Sequence, residues 1–154
     1  MKLLVLLLSL IPAVLISQPK QLFNFHDILA ALESGHNISA RFDYEKCELL
    51  IDGKKETPPA IRGGMEIHSY EFFDTMTVNN PLPFLSFSET VLINHPRRGF
   101  VHNYVKVRIY GDNRVEIRAM YLTPGTLEIV MDETFRAKIS SADEDSGAKF
   151  YKNQ

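Results

Sequence analysis

The chain has 154 residues, 45% of them hydrophobic, with 17 Lys and Arg against 19 Asp and Glu and a single cysteine. A formal charge of −2 spread without a basic stripe excludes a nucleic-acid binder held by phosphate contacts. The length bounds the chain to one domain, long enough to bury a core without disulfides or a structural metal.

The chain opens with "MKLLVLLLSLIPAVLIS", in which Lys2 precedes an apolar run that no charge interrupts before Lys20. A basic start and a short apolar stretch broken by Pro12 read as a signal peptide over residues 1–17, cleaved after Ser17, rather than as a membrane span. Removal of Lys2 with that leader takes the charge from −2 to −3. The expected location is therefore extracellular, or periplasmic in a bacterium. No association with a membrane is expected after cleavage.

"FNFHDILAALESGHN" predicts the one helix. Asn24 is placed as N-cap with Asp27 three residues on, Phe23 and Ile28 occupy the staple positions, and Phe25, Ile28, Leu29 and Leu32 share a face. Gly35 sits where a left-handed residue ends a helix. The period then changes to two. Ile38, Ala40, Phe42 and Tyr44 alternate with polar residues, as in a half-buried strand. "CELLI" follows as a short strand ending at "DGKK", and "KETPPAIRGG" is a loop. Residues 65–78 hold strand material, His68 included, with a break near Ser69. "FLSFSETVLIN" is a strand that stops at "HPRRG".

"NYVKVRIYGDNRVEIRAMY" is the clearest hairpin. A three-residue loop, Gly111-Asp112-Asn113, pairs Tyr110 with Arg114 and sets Arg108 opposite Glu116. "TLEIVM" and "TFRAKIS" are expected as a second hairpin turning at Asp132-Glu133. Residues 141–154, "SADEDSGAKFYKNQ", read as a polar mobile tail after a single domain at 18–140. The fold class is α+β: one N-terminal helix packed on a large antiparallel sheet of about six to eight strands, able to curl toward a barrel.

"NFHDILAALESGHNISARFDYEKC" and "NYVKVRIYGDNRVEIRAMYLTPGTLEI" resemble the VirK-like family over about Phe23 to Ile139. The shared features are a leucine-rich helix ending in Gly, a strand, a cysteine, and later a Tyr/Val strand with a D-N turn. The resemblance implies a small exported protein of undefined activity. It also implies a second cysteine near the last strand, where this chain has Ala137.

The residues themselves select little chemistry. His26, His36, His68, His95 and His102 show no zinc spacing, although His95 and His102 flank the "PRRG" turn and are able to approach one another. No carboxylate pair has acid/base spacing, and Asp143, Glu144 and Asp145 lack the ligand pattern of a calcium loop. No catalytic residue, metal or cofactor is expected. Asn37, in "NIS", is a glycosylation acceptor if the source is a eukaryote. Cys47 is an unpaired thiol: a buried relic of a lost bridge, half of a Cys47-linked dimer, or a functional group. His95, Arg97 and Arg98 either dock an anion or guard a sheet edge. Leu82 and Phe84 either face a partner or tuck under the sheet. Two functions remain: a secreted non-catalytic protein that binds a host or extracellular partner, and a carrier holding an apolar ligand among Phe42, Ile67, Phe87, Val107 and Ile117.

Overall fold

Two periodicities in the sequence become two kinds of element in the computed structural model, which describes residues 18–153. The leader expected at 1–17 lies outside the described residues. The elements in chain order are β1 (Lys20–Leu22), α1 (Phe25–Glu33), β2 (Ile38–Asp43), a 3-10 turn (Tyr44–Lys46), β3 (Glu48–Ile51), β4 (Lys54–Glu56), β5 (Arg62–Glu66), β6 (Glu71–Phe73), β7 (Phe84–His95), β8 (Gly99–Tyr110), β9 (Arg114–Leu122), β10 (Ile129–Ile139) and β11 (Gly147–Lys152).

Local chemistry sets both ends of α1. The Asn24 side chain accepts from the Asp27 amide at 2.9 Å and donates back to the Asp27 carboxylate at 2.8 Å. At the other end Gly35 takes φ +76°, its amide donates to Leu32 O at 2.9 Å, and the His36 amide donates to Ala31 O at 3.0 Å. That pair of hydrogen bonds is the Schellman closure, which the positive φ of a glycine permits. The first helical amide, on Phe25, donates to the Asn113 side chain at 2.8 Å. The β8–β9 turn thus caps the helix from 88 residues away. Phe25, Ile28, Ala31 and Leu32 are buried.

All eleven strands join one sheet, whose main path runs β5-β2-β11-β10-β9-β8-β7-β6 and curls into a half-barrel. The β8–β9 hairpin has the expected register, Arg108 opposite Glu116. Three expectations are corrected. The molecule is mostly β with one small helix, and its sheet is mixed, because β10 and β11 run parallel. Asp132-Glu133 is not a turn; β10 passes straight through it, pairing Asp132 with Met120 and Glu133 with Ala119. The chain reverses only at the "TPG" turn before β10, where Gly125 and, just past it, Leu127 have positive φ. The stretch expected as a mobile tail at 141–154 instead holds the strand β11 over Gly147–Lys152. β11 lies in the interior of the sheet between β2 and β10, with Ala148 and Phe150 fully buried.

On the concave face the registers stack side chains in rows. Leu85, Ile109, Val115 and Ala137 form one row, and Phe87, Val107, Ile117, Phe135 and Leu49 the next. Together with α1, Ile38, Ala40, Phe42 and Phe150 they make the core. Each such side chain taken wholly from water contributes about 1.5–3 kcal/mol. Phe42, Ile67, Phe87, Val107 and Ile117 all belong to this packed cluster. They fill the space that was expected to be an apolar ligand cavity.

The β3–β10 ladder pairs Glu48 with Arg136. Continued by one pair it sets Cys47 opposite Ala137, both on the concave side, where Ala137 packs against the core.

Phe150→Ala is expected to lower the unfolding free energy by about 3–5 kcal/mol in chemical denaturation, because it empties a closed site. A mobile tail would give a change under about 0.5 kcal/mol. In Ala137→Cys the introduced thiol is expected to bridge to Cys47 on oxidation, adding up to about 4 kcal/mol in denaturant. Two free thiols persisting after oxidation would remove the reading of Cys47 as half of a lost bridge.

Candidate functional site

The next two rows of the concave face differ from the core rows. One runs Glu89, Val105, Ala119, Glu133; the other runs Val91, Asn103, Tyr121, Met131. Two carboxylates, an amide and a phenol enter where the previous rows were wholly apolar. A nine-residue helix covers one end of the half-barrel, and these rows lie toward the other.

A second chain segment forms the opposite wall. The 3-10 turn is closed by the Cys47 amide donating to Tyr44 O at 3.0 Å, and the Tyr44 amide donates to Ile61 O at 3.0 Å. The Ile61 amide donates in turn to Pro59 O at 2.8 Å. The loop before β5 is thereby fixed beside Tyr44. The Tyr44 ring meets Phe135 edge-on at 4.7 Å and tilts toward Phe42 at 6.2 Å. Burial, with smaller contributions from Cys47 and Tyr121, pushes its phenol up to about 12. It stays protonated at any physiological pH, a fixed donor.

Between these walls is a groove. Its deep part, about 140 Å³, is lined by Tyr44, Val105, Ala119, Tyr121, Met131 and Phe135. It opens into a wider hollow of about 600 Å³ whose rim carries His95, Arg97 and Arg98. Glu133 lines both parts. Burial pushes its carboxyl above the usual glutamate value, and no neighbouring cation opposes that shift. The His95 ring packs against Tyr121 at 5.3 Å, and its Nδ1 accepts from the Arg97 amide at 3.2 Å. An apolar floor, a half-buried carboxylate without a cation, and a basic rim suit an amphipathic ligand.

A second, ionic hollow of about 390 Å³ lies over β2 and β11. Asp145 accepts from Lys46 at 2.6 Å and Lys149 at 2.8 Å, and Asp43 meets Arg62 at 3.4 Å. The Lys149 and Lys46 bonds hold the Asp145 carboxyl well below the usual carboxylate range. These pairs are largely exposed and internally satisfied, so each adds little stability.

The residues singled out from sequence are dispersed. Cys47 is 5% exposed, its Sγ lies 3.4 Å from Asp43 O, and burial pushes its thiol up to about 11. It is protonated at neutral pH, hence a poor nucleophile. Asn37 is exposed just past α1, and its carbonyl accepts from the Asn153 amide at 2.9 Å. His95 and His102 do not approach: His95 pairs with Gly99 and His102 with Leu92, an odd offset that puts them on opposite faces. His68 is exposed beyond the end of β5 rather than in a strand. Phe84 is buried and stacked on Phe73 at 4.6 Å, so "NNPLPF" tucks its aromatic under the sheet. Among the described residues no group of three or more His, Cys, Asp or Glu is placed to hold a metal ion. No described helix is long and apolar enough to cross a membrane.

Sequence reading missed Glu133, Tyr44, Tyr121 and Met131 as one site. The signal available was a carboxylate on the apolar side of a β10 alternation, visible only once the Asp132-Glu133 turn is abandoned.

The comparisons with known proteins agree with this architecture. No curated protein matches the chain. Among solved structures it is similar to the crystal structure of lpg1832, a VirK family protein from Legionella pneumophila. The TM-score is 0.64 at 13% identity, covering 85% of this chain and 98% of that one, a likeness of fold. The VirK protein family model matches residues 21–127. That span is more than two thirds of the sequence, and the chain belongs to the VirK family.

Proposed function

We propose that this VirK-family chain is an exported, non-catalytic binding protein, and that the concave groove holds an extended segment of an extracellular or host protein. The observation that carries the reading is Glu133, a half-buried carboxylate beside an apolar floor with no cation against it. A desolvated charge without a counter-ion is a cost to the free protein. A Lys or Arg of the partner, next to an apolar side chain seated among Tyr44, Val105 and Phe135, removes it.

Size separates the two binding functions. The deep part, about 140 Å³, is below the 300–1,000 Å³ usual for enclosed small-molecule pockets. It takes one large side chain, and the wider hollow takes the backbone on either side. The carrier function loses its support with the expected cavity, which is packed core. The non-catalytic reading rests on a protonated, buried Cys47 and on histidines held on opposite faces. Export rests on the leader pattern of residues 1–17. The protein recovered from culture medium is expected to begin at Gln18, checked by mass spectrometry; an intact Met1 terminus in the medium contradicts cleavage.

Two measurements test the groove. Photo-crosslinkers at Ala119 and Met131 are expected to capture the same extracellular protein, and one at Lys106 on the convex face to capture none of it. Equal capture from both faces sinks the assignment, and displacement of a fluorescent fatty acid at micromolar protein restores the carrier. Separately, a carboxyl raised by burial stabilises below its unfolded value and loses that contribution as pH rises through its folded value. Glu133→Gln is therefore expected to raise Tm at pH 7 and to show no gain below about pH 4. A Tm gain that persists undiminished at low pH means that Glu133 is not the desolvated acid inferred here.

A further inference from the structure

The edges of this sheet are unequal. β4 reads Lys-Lys-Glu and is wholly exposed, β5 begins with Arg62 and ends with Glu66, and β6 is three residues long. Charge and shortness are the devices that keep a strand edge from pairing with another chain. β7 has neither over most of its length. It pairs with β8 through twelve consecutive registers without a bulge, whereas β6 covers only Phe84, Leu85 and Ser86 on its other side. Among the described residues no strand pairs with that side from Phe87 to His95. The stretch contains no Lys or Pro, and Val91 and Leu92 are 47% and 55% exposed.

We propose that this edge pairs with the same edge of a second copy, antiparallel, with Leu92 on the two-fold axis. The sequence is self-complementary in that register. Leu92 meets its own copy, Val91 meets Ile93, Thr90 meets Asn94, and Glu89 meets His95. The concave side then carries the apolar Val91–Ile93 pairs in its middle and a carboxylate–imidazole pair at each end. Arg97, in the turn just beyond His95, adds a cation near each Glu89. Each Glu89–His95 pair occurs twice because the axis repeats it, and cross-strand polar pairs of this kind stabilise an antiparallel ladder. A slip by one residue puts concave side chains against convex ones and loses both Glu89–His95 pairs. The pairing joins two half-barrels into one continuous sheet, an isologous contact that closes on itself and leaves no further unguarded edge.

The test uses the purified full chain. Light scattering at up to about 100 µM is expected to give a dimer mass. Leu92→Cys is expected to cross-link to its own copy on mild oxidation, since the two thiols sit across the axis. Ile129→Cys, also 55% exposed but three strands away on β10, is expected not to. The wild type provides the background, because its one cysteine is buried. Glu89→Arg is expected to weaken the dimer about tenfold by setting a new cation near Arg97 on each side of the axis, and Glu89→Arg with His95→Glu to restore it. A monomer throughout that range overturns the proposal. So does equal cross-linking at Leu92 and Ile129, or a dimer indifferent to Glu89→Arg. β7 amides that gain exchange protection only when another protein is added assign the edge to that partner and overturn self-pairing.

Discussion

The fold depends on the insertion of β11 between β2 and β10. Before it, the chain has made two groups of strands: β1, β2 and β5 around the helix, and the long meander β7 to β10. β11 pairs antiparallel with β2 over five residues and parallel with β10 over two. β1 takes up the rest of its free side. Phe150 and Ala148 then close the core beneath α1. The approach is tight. Gly147 has φ +89°, and a Cβ there would stand 3.1 Å from both Asp43 O and Cys47 Sγ. Glycine answers both constraints, the left-handed backbone and the missing space. Cys47 is accordingly a piece of the joint between the two strand groups, packed where the last strand enters.

How much of this was legible follows from which residues carry the information. The helix was readable because its determinants, Asn24, Asp27 and Gly35, lie within its own turns. The β8–β9 hairpin was readable because a Gly-Asp-Asn loop fixes its register locally. β11 was not. Its convex residues, Lys149 and Tyr151, are polar or amphipathic, and the Lys152 that ends it is charged. Its buried side amounts to Ala148 and Phe150, too few to show an alternation against the acidic run before it. Asp145, which made that run look solvated, is held by Lys46 from 99 residues away. The acids of "SADEDSG" include a clamp that only the folded chain reveals.

The groove is invisible in sequence for a related reason. It is assembled from the 3-10 turn and the loop before β5 on one side and three strands of the meander on the other, segments some forty residues or more apart in the chain. Alternation does forecast the face on which each strand residue lies. It does not forecast how far the covering helix reaches. α1 is nine residues long, about 14 Å at the usual rise, whereas β7 and β8 have twelve residues each, near 40 Å. The concave face is longer than its cover. The same pleat that packs Phe87, Val107, Ile117 and Phe135 in one row must expose Glu89, Val105, Ala119 and Glu133 to a partly open space in the next.

That step within a single sheet sets Glu133 apart from the core rows and is what supports the proposed binding role. An aliphatic residue at its place would extend the core row and spare the desolvation of a carboxylate. A surface carboxylate would sit on the convex side, where Asp132, its neighbour in sequence, already forms a two-bond pair with Arg118. Glu133 has neither arrangement. It is held among Tyr44, Tyr121, Met131 and Phe135, with the nearest basic groups at the rim rather than beside it. In the proposed reading, a partner supplies the counter-charge that the chain itself does not place beside Glu133.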